Sequence, residues 1–210
     1  MTLTMKIESV SANPDRVGKY KVLLSDGSKL FLYRQTIEDH CVYAGKDLSD
    51  AELLQLKTDA GKMSAKMRAV RIVSISNVSK ADLKQRLIRK GENPVDAVQA
   101  VDWMADMDLL DDKKTAQQII RRCAEKGYGA QRAKQMLYEK RIPKELWDEL
   151  LADYPDQTDK IIAYLQMKLT DSEDQKAVRK AMDALLRRGH SYSQIRHAMN
   201  QLELHMQEDF

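Results

Sequence analysis

The residues whose types and spacing suit chemistry are few in this chain of 210 residues, and each set lacks part of the required pattern. Gly127-Tyr128-Gly129 would let backbone amides approach a phosphate, but no Lys-Ser or Lys-Thr pair follows it as in a P-loop. His40 and Cys41 are adjacent, whereas folds usually bring a cysteine nucleophile and its base together from distant positions. We expect the glycine pair to end one helix and begin the next, and we predict no catalytic cysteine.

The acidic and histidine clusters also lack the residues and spacing that metal sites require. The aspartate-rich segment 106–112 resembles the start of a calcium loop, but its sixth position is not glycine, and Gln117 stands where a bidentate glutamate belongs. His190, His197 and His205 lack the i, i+4 spacing of a helical metal pair. We therefore expect no metal, no cofactor and no enzymatic activity.

Lysines and arginines are segregated along the chain. From 62 to 90 there are nine of them against one acidic residue, and from 92 to 112 there are seven acidic residues and no base. The charge changes sign again over 113–141 and 144–160. This segregation favours a polyanionic partner on one side of the protein. An alternative stays open, in which basic helices face acidic neighbours in solvated pairs worth about 0.2–1 kcal/mol each.

The basic helices predict a basic face that contacts DNA or an acidic protein surface. Tyr128 lies among these cations, where it would stack on a base, but packing against the next helix is the favoured interpretation, since aromatic residues in loops commonly cover a neighbouring helix. No base-reading motif is present, so we expect any nucleic-acid binding to be sequence-tolerant. The candidate residues are Arg68, Arg71, Lys84, Arg86, Arg89, Lys90, Arg121, Arg122, Lys126, Tyr128, Arg132, Lys134, Arg187 and Arg188.

A repeat of about fifty residues must position these cations. It appears as Leu87-Ile-Arg-Lys-Gly91, Leu137-Tyr-Glu-Lys-Arg141 and Leu185-Leu-Arg-Arg-Gly189, whose leading leucines are 50 and 48 positions apart. A helix start and an apolar face follow each run: Val95, Val98 and Val101, then Leu146, Leu150 and Tyr154, then Ile195, Met199 and Leu202. Such repetition predicts an array of like units, which offers an extended surface rather than a single pocket.

We predict nine helices in three groups of three after residue 63. Their expected ranges are 64–75, 79–90, 94–107, 115–126, 130–140, 143–152, 158–169, 173–188 and 192–206. Ser79 and Asn93-Pro94 are predicted N-caps, and Gly91 is a predicted helix end. Ser172-x-x-Gln175 and Ser191-x-x-Gln194 are predicted capping boxes.

The first 60 residues differ from the rest. Short runs at 6–10, 20–24 and 29–33 favour strands, and Asp26-Gly27 is a hairpin turn pattern, so we predict a hairpin or three-stranded sheet. Short helices are expected at 36–42 and after Ser49-Asp-Ala-Glu52, a capping box. Gly61 is expected to end this module.

The predicted fold is mainly α, with three tandem three-helix repeats in an elongated, curved array after a small N-terminal β-hairpin-containing module. The predicted boundaries are 1–61, 62–112, 113–156 and 157–210. Only 6% of residues are aromatic, a composition typical of helices rather than of β-sandwiches. Cys41 and Cys123 are isolated and expected to be reduced, and no signal peptide or long apolar stretch is present, so we expect a cytoplasmic monomer without a membrane segment.

The second unit carries residues that resemble a known family, the bacterial regulatory protein family RecX. Leu109-Leu-Asp-Asp112 and Lys126-Gly-Tyr-Gly129 are similar to that family's Leu-Asp-Asp and Lys-Gly-Tyr-Gly signatures, with Arg132 and Leu137 following. The first unit adds Ser79-Lys-Ala-Asp-Leu83-Lys84-Gln-Arg86-Leu87, and the third adds Leu185-Leu-Arg-Arg-Gly189 with Tyr192 and Ile195. One departure is Lys113-Lys-Thr115-Ala116, where the family often has a charged residue and Phe-Ala, so packing of the fourth helix should differ.

The resemblance implies a non-enzymatic regulator that binds the RecA recombinase filament on single-stranded DNA and restrains strand exchange and ATP hydrolysis. It places the protein in homologous recombination, DNA repair and the SOS response. Direct contact with single-stranded DNA is part of this expectation. Two other classes remain open: a stand-alone, sequence-tolerant nucleic-acid-binding repeat protein, and a helical-repeat protein scaffold.

Overall fold

The structure is a computed structural model that describes residues 4–169 and 175–208. Within these ranges it contains four short β-strands and ten α-helices, which confirms a mainly helical fold with a small N-terminal β-containing module. The chain divides into two compact units, Met1–Leu110 and Asp111–Phe210. No helix of the described ranges combines the length and apolar character needed to cross a membrane.

The N-terminal strands form one antiparallel sheet. They are β1 (Met5–Val10), β2 (Lys19–Leu24), β3 (Lys29–Tyr33) and β4 (Asp47–Leu48), in the order β3-β2-β1-β4. Asp26-Gly27 makes the predicted turn between β2 and β3, and Gly27 adopts φ +80° there. The prediction of at most three strands missed β4, because two residues are too few to show an alternating pattern.

Helix α2 corrects the predicted boundary at Gly61. After the short helix α1 (Arg34–Asp39), α2 runs without a break from Asp50 to Val73, so the helix expected to begin at residue 64 begins at the Ser49 capping box instead. Gly61 serves close packing rather than helix termination: a Cβ there would lie 2.6 Å from Asp96 Oδ2. Because the carboxylate occupies that space, only glycine fits without a shift.

The remaining helices of the first unit are α3 (Lys80–Arg89) and α4 (Pro94–Asp106), close to their predicted ranges. Both predicted N-caps are confirmed. Ser79 Oγ accepts the amide of Asp82 at 3.0 Å, and Asn93 Oδ1 accepts the amide of Val95 at 2.8 Å.

The apolar face predicted for α4 is wrong in part. Val101 is buried, but Val95 and Val98 are exposed, and the face that packs in the core consists of Ala97, Ala100, Val101 and Met104. Small residues let α4 lie close to its neighbour, in keeping with the contact between Asp96 and Gly61. Ala97 and Ala100 therefore pack in the core at the place where the hydrophobic pattern predicted Val95 and Val98.

The second unit contains the other six helices. They are α5 (Asp112–Glu125), α6 (Ala130–Glu139), α7 (Trp147–Leu151), α8 (Thr158–Lys168), α9 (Gln175–Arg187) and α10 (Tyr192–Glu208). The capping box at Ser191 and Gln194 is confirmed by reciprocal bonds of 2.9 and 3.2 Å. The box predicted at Ser172 lies outside the described residues.

Two predicted helix starts in this unit are corrected. Helix α5 begins at Asp112 rather than at Thr115, because Asp111 Oδ1 accepts the amide of Lys114 at 2.9 Å and caps the helix. The predicted boundary between 112 and 113 thus falls in the first turn of α5. The segment predicted as one helix from 143 to 152 is a 3₁₀ turn, Lys144–Leu146, followed by α7, and Trp147 Nε1 donates to the Ile142 carbonyl at 3.2 Å across it.

The three repeats share one helix end. Leu87, Leu137 and Leu185 are all buried, and each carbonyl accepts an amide five residues later, at 3.0 to 3.2 Å. The residue before that donor has a left-handed conformation in all three cases: Gly91 at φ +88°, Arg141 at φ +55° and Gly189 at φ +88°. This pattern is a Schellman motif, and α1, α4 and α5 end in the same way. Its presence after three equivalent buried leucines agrees with the sequence repeat.

The buried side chains of the described residues form four separate clusters. One lies under the sheet, and one each lies among α2 to α4, among α5 to α7 and among α8 to α10. Several small cores in sequence agree with an array rather than with one deep core. The division into four modules stays a prediction.

Candidate nucleic-acid interface

The first unit presents exposed cations along α3. Lys84, Arg89 and Lys90 are exposed, and within the described residues none of the three lies within salt-bridge distance of a carboxylate. Arg86, which was predicted together with them, has another role: its guanidinium lies 2.9 Å from the Asp82 carboxylate, one turn away. Asp82 is itself buried at the capped start of α3. Three of the four predicted cations are therefore available to a partner.

Arg68 and Arg71 are held by the fold. Arg68 Nε lies 2.5 Å from Glu92 Oε1, and Ser64 Oγ donates to the same oxygen at 3.1 Å. Arg71 donates to the hydroxyl of Tyr33 on β3. Because Glu92 is 9% exposed, its carboxylate is satisfied by these donors rather than by water.

Lys19 connects the sheet to the same network. Its ammonium donates to Ser64 Oγ at 2.9 Å and lies 5.2 Å from the Tyr33 ring centroid. Burial lowers the pKa of Lys19, Glu92 opposes that shift, and Arg68 and Arg71 add to it. Lys19, Arg68 and Arg71 thus join the sheet to α2. These contacts explain why the three side chains are half-buried, and no binding partner is needed to account for their positions.

In the second unit the cations of α5 face solvent. Arg122 and Lys126 are exposed, and Arg121 is exposed in an i, i+4 pair with Glu125 at 2.8 Å. Such an exposed pair stabilises a helix by only about 0.3–0.5 kcal/mol, so it yields readily to a stronger anion. On α9, Arg187 is also exposed.

Two cations of α6 are half-buried. Arg132 donates to Gln135 Oε1 at 2.6 Å and lies 3.8 Å from Glu139, and Lys134 lies on the same helix. Burial raises the pKa of the Cys123 thiol, and the charges of Arg132 and Lys126 oppose that shift. The structure thus brings part of the predicted set into one neighbourhood.

Tyr128 and Arg188 join the second and third repeats. The Arg188 guanidinium lies 5.7 Å from the Tyr128 ring centroid and 5.0 Å from that of Tyr164. The Tyr154 hydroxyl donates to the Tyr128 carbonyl at 2.7 Å, and burial raises the pKa of Tyr154 to about 12. Tyr128 also packs against the core of its repeat. These contacts favour the packing interpretation of Tyr128, as the sequence did.

The glycines around Tyr128 explain its motif. Gly129 donates its amide to the Arg188 carbonyl at 3.0 Å, and His190 Nε2 lies 3.1 Å from the Gly127 carbonyl. Lys160 donates to the carbonyls of Ala124 and Glu125 at the end of α5. The motif therefore binds a second stretch of backbone instead of a phosphate.

The other candidate sites of the sequence have structural roles. His40 Nε2 lies 3.1 Å from Asp59 Oδ2, and Cys41 follows α1 at φ +45°. Asp108 follows α4 in a left-handed conformation, and Asp111 caps α5. Within the described ranges no three metal-binding side chains come together.

One feature escaped the sequence analysis: a cleft of about 370 Å³ beside the end of α6. Tyr138, Arg141, Lys144 and Trp147 line it, together with Glu139 and Ile142. A comparison of the repeats could have revealed it, since Arg141 stands where the other two repeats have glycine. The charge pattern alone did not separate this position from its neighbours.

Taken together, the small antiparallel sheet and the repeated three-helix units with a common helix end define a class of tandem three-helix proteins. A family model for the second three-helix domain of RecX matches residues 111–151. The chain is 29% identical to the regulatory protein RecX of Vibrio campbellii over 147 residues, which cover 69% of this chain and 95% of that protein. It is 25% identical to RecX of Clostridioides difficile over 96% of both chains.

Solved structures show the same fold. A crystal structure of a regulatory protein RecX superposes with a TM-score of 0.65 at 18% identity. The superposition covers 94% of this chain and 100% of that chain. RecX from Lactobacillus salivarius superposes with a TM-score of 0.60 at 20% identity, covering 69% of this chain and 97% of that one. The chain is thus similar to RecX regulatory proteins over most of its length, and the family model matches its second three-helix domain.

Proposed function

We propose that this protein binds RecA filaments on single-stranded DNA and restrains strand exchange and ATP hydrolysis, without chemistry of its own. The proposal places it in the cytoplasm as a monomer that acts in recombination, DNA repair and the SOS response. Similarity to RecX regulatory proteins over most of the chain supports it. The observation that carries the electrostatic part is the exposure of Lys84, Arg89 and Lys90 on the first unit and of Arg122, Lys126 and Arg187 on the second.

These exposed cations suit a polyanionic surface. A nucleoprotein filament offers DNA phosphates and acidic protein side chains, and lysine and arginine bind both by charge. Cations that the fold already pairs, such as Arg68 and Arg86, contribute to stability instead. Binding is then sequence-tolerant and weakens as salt rises.

Each compact unit carries exposed cations of its own, which supports binding at more than one point. Two linked contacts on neighbouring filament subunits bind far more tightly than either contact alone, because the second forms at a high effective concentration. Inhibition is therefore expected at fewer than one copy per RecA subunit.

The direct test is RecA-catalysed ATP hydrolysis on single-stranded DNA with increasing amounts of the protein. We expect the rate to fall well before the two proteins are equimolar. A fragment ending at Leu110, the end of the first compact unit, should inhibit much more weakly if circular dichroism shows that it folds. Equal inhibition by fragment and full chain would contradict binding at several points.

Two other functions give different results in the same experiment. A stand-alone nucleic-acid-binding protein binds single-stranded DNA in a salt-dependent way but does not affect RecA when DNA is in excess. A protein scaffold binds neither DNA nor the filament. The exposed cations favour the first alternative over the second.

A further inference from the structure

Arg141 has an unusual backbone conformation for its residue type. It lies at φ +55°, in the left-handed region that favours glycine, and the equivalent positions of the other repeats are Gly91 and Gly189 at φ +88°. A side chain in this region carries a conformational cost that glycine avoids. Cys41 and Asp108 share this conformation at other helix ends, so the conformation assigns no role by itself, but it places Arg141 at the start of the segment that leads to α7.

The surroundings of Arg141 indicate a role for its side chain. It lines the cleft of about 370 Å³ between the end of α6 and the start of α7. Tyr138, 68% exposed, and the half-buried Trp147 supply aromatic rings, and Lys144 supplies a second cation. The Trp147 indole is fixed by its bond to the Ile142 carbonyl. Aromatic rings beside cations match the needs of a nucleotide, whose base stacks while its phosphate pairs with positive charge.

We propose that this cleft is a binding site for one nucleotide of a single-stranded nucleic acid, with the base against Tyr138 and Trp147 and the phosphate against Arg141 and Lys144. The site deepens the proposed function, on which it rests for the presence of a single strand near the protein. It lies outside the basic residues singled out from the sequence. Its volume suits one nucleotide rather than a folded partner.

Glu139 also lines the cleft, and its charge opposes an anion. Arg132 lies 3.8 Å from the Glu139 carboxylate and reduces that opposition. Because the carboxylate remains half exposed, removing its charge with Glu139→Gln should tighten binding of a strand. Weaker binding of the strand by this variant would instead show that the Glu139 carboxylate helps binding by positioning a cationic side chain of the cleft.

Tryptophan fluorescence provides a direct readout, since the chain has two tryptophans and only Trp147 lines the cleft. Trp103→Phe in the full chain leaves Trp147 as the single reporter. We expect an oligo(dT) of about 15 nucleotides to quench the Trp147 emission. The concentration dependence of this quenching should match the binding curve measured by fluorescence anisotropy. Trp147→Phe, which leaves Trp103, should show binding without quenching. Unchanged Trp147 emission at up to about 1 mM nucleotide, where non-specific binding is complete, overturns the proposal.

Arg141→Gly separates binding from folding. Glycine relieves the left-handed strain, so the melting temperature should rise by about 1–4 °C, while affinity for the strand falls. A more stable protein that binds the strand as tightly as before would show that Arg141 does not contact it. Tyr138→Ala should weaken binding at least about fivefold, as expected for the loss of one stacked base. The matched control is Tyr43→Ala, which removes an exposed tyrosine from the first unit and should leave affinity unchanged.

Three further outcomes are distinguishable. If dTMP quenches Trp147 with the same affinity per site as the oligonucleotide, the ligand is a free nucleotide and the single-strand proposal is wrong. If the full chain inhibits RecA but neither Arg141→Gly nor Tyr138→Ala weakens strand binding, the cleft proposal fails and the proposed function stands. If the cleft binds the strand but RecA is unaffected, the cleft proposal stands and the filament proposal fails.

Discussion

Gly129 and Gly189 meet backbone to backbone at the joint of the second and third repeats. A Cβ on Gly129 would lie 2.0 Å from the Gly189 carbonyl oxygen, and a Cβ on Gly189 would lie 2.3 Å from the amide nitrogen of Arg132. Because both obstacles are backbone atoms, no side-chain rotation relieves either clash. The second glycine of the Lys-Gly-Tyr-Gly motif therefore sets how closely these repeats approach.

Replacing Gly189 with alanine should destabilise the protein more than the same change at Gly91. Both residues adopt φ +88°, but Gly91 has open space around its Cβ position. We expect Gly91→Ala to cost about 1 kcal/mol of unfolding free energy from backbone strain alone. Gly189→Ala should cost about 1–3 kcal/mol more, because the backbone must also move. Chemical denaturation measures both, and equal losses would show that the joint adjusts freely.

Glu92 is expected to be the key carboxylate of the first unit. Glu92→Ala leaves Arg68 and Ser64 without their shared acceptor and adds to the repulsion around Lys19. Since Arg68 remains a third exposed, we expect a loss of about 2–4 kcal/mol rather than the full cost of a deeply buried charge.

Glu38→Ala is the matched control for that change, because Glu38 pairs with Arg34 on the surface. Its unfolding free energy should change much less than that of Glu92→Ala, because water screens an exposed pair. A similar small loss for Glu92→Ala would mean that water replaces the carboxylate in the network.

Stability should decrease in acid through His190. Burial lowers the pKa of this imidazole below 6.5, the charge of Arg188 lowers it further, and the bond to the Gly127 carbonyl opposes the shift. As the pH falls below 6.5, His190 of the unfolded chain takes up a proton before His190 of the folded protein does. Folding stability is therefore highest above pH 6.5 and decreases as the pH falls toward the folded-state pKa. His190→Gln should flatten the dependence of melting temperature on pH in this range.

The exposed His197 supplies the control for His190, since His197→Gln should retain the pH dependence of the wild type. If both variants have the same slope as the wild type, acid sensitivity arises elsewhere.

The exposed cations of α3 should control salt dependence. Replacing Lys84, Arg89 and Lys90 together with alanine should flatten the slope of log K against log salt for single-stranded DNA by up to about 2, at about 0.7 per lost phosphate contact. Titrations by anisotropy at several salt concentrations give this slope.

Arg86→Ala provides the comparison on the same helix. It breaks the pair with Asp82 and should lower stability while leaving the salt slope unchanged. The opposite result, an unchanged slope in the triple variant and a flatter one in Arg86→Ala, would reverse the assignment of these side chains.

Local patterns predicted the helices well where a cap marked them. Ser79, Asn93 and Ser191 each begin a helix at the expected place, because capping depends on residues within one turn. The repeat itself was also visible, since Leu87, Leu137 and Leu185 recur with their flanking charges.

Contacts between distant residues were not predictable in the same way. Gly61 looked like a helix end, and only the approach of Asp96 from another helix shows why glycine is needed inside α2. The pairing of Arg68 with Glu92 likewise removes a cation from the predicted basic face through a contact 24 positions away. Charge counts along the chain cannot distinguish Arg68, which has Glu92 opposite it, from Lys84, which has no carboxylate within salt-bridge distance among the described residues.

The unbroken helix α2 makes the sheet and the first three-helix repeat a single cooperative element. Its first half contributes Leu56 to the core under the sheet, and its second half contributes Ala65, Ala69 and Ile72 to the next core. Because one helix of about 36 Å supplies a wall of each core, unfolding of the whole helix opens both cores at once. Amide hydrogens in β2 and α3 should then exchange through the same opening event, and the sheet acts as a brace for the first repeat.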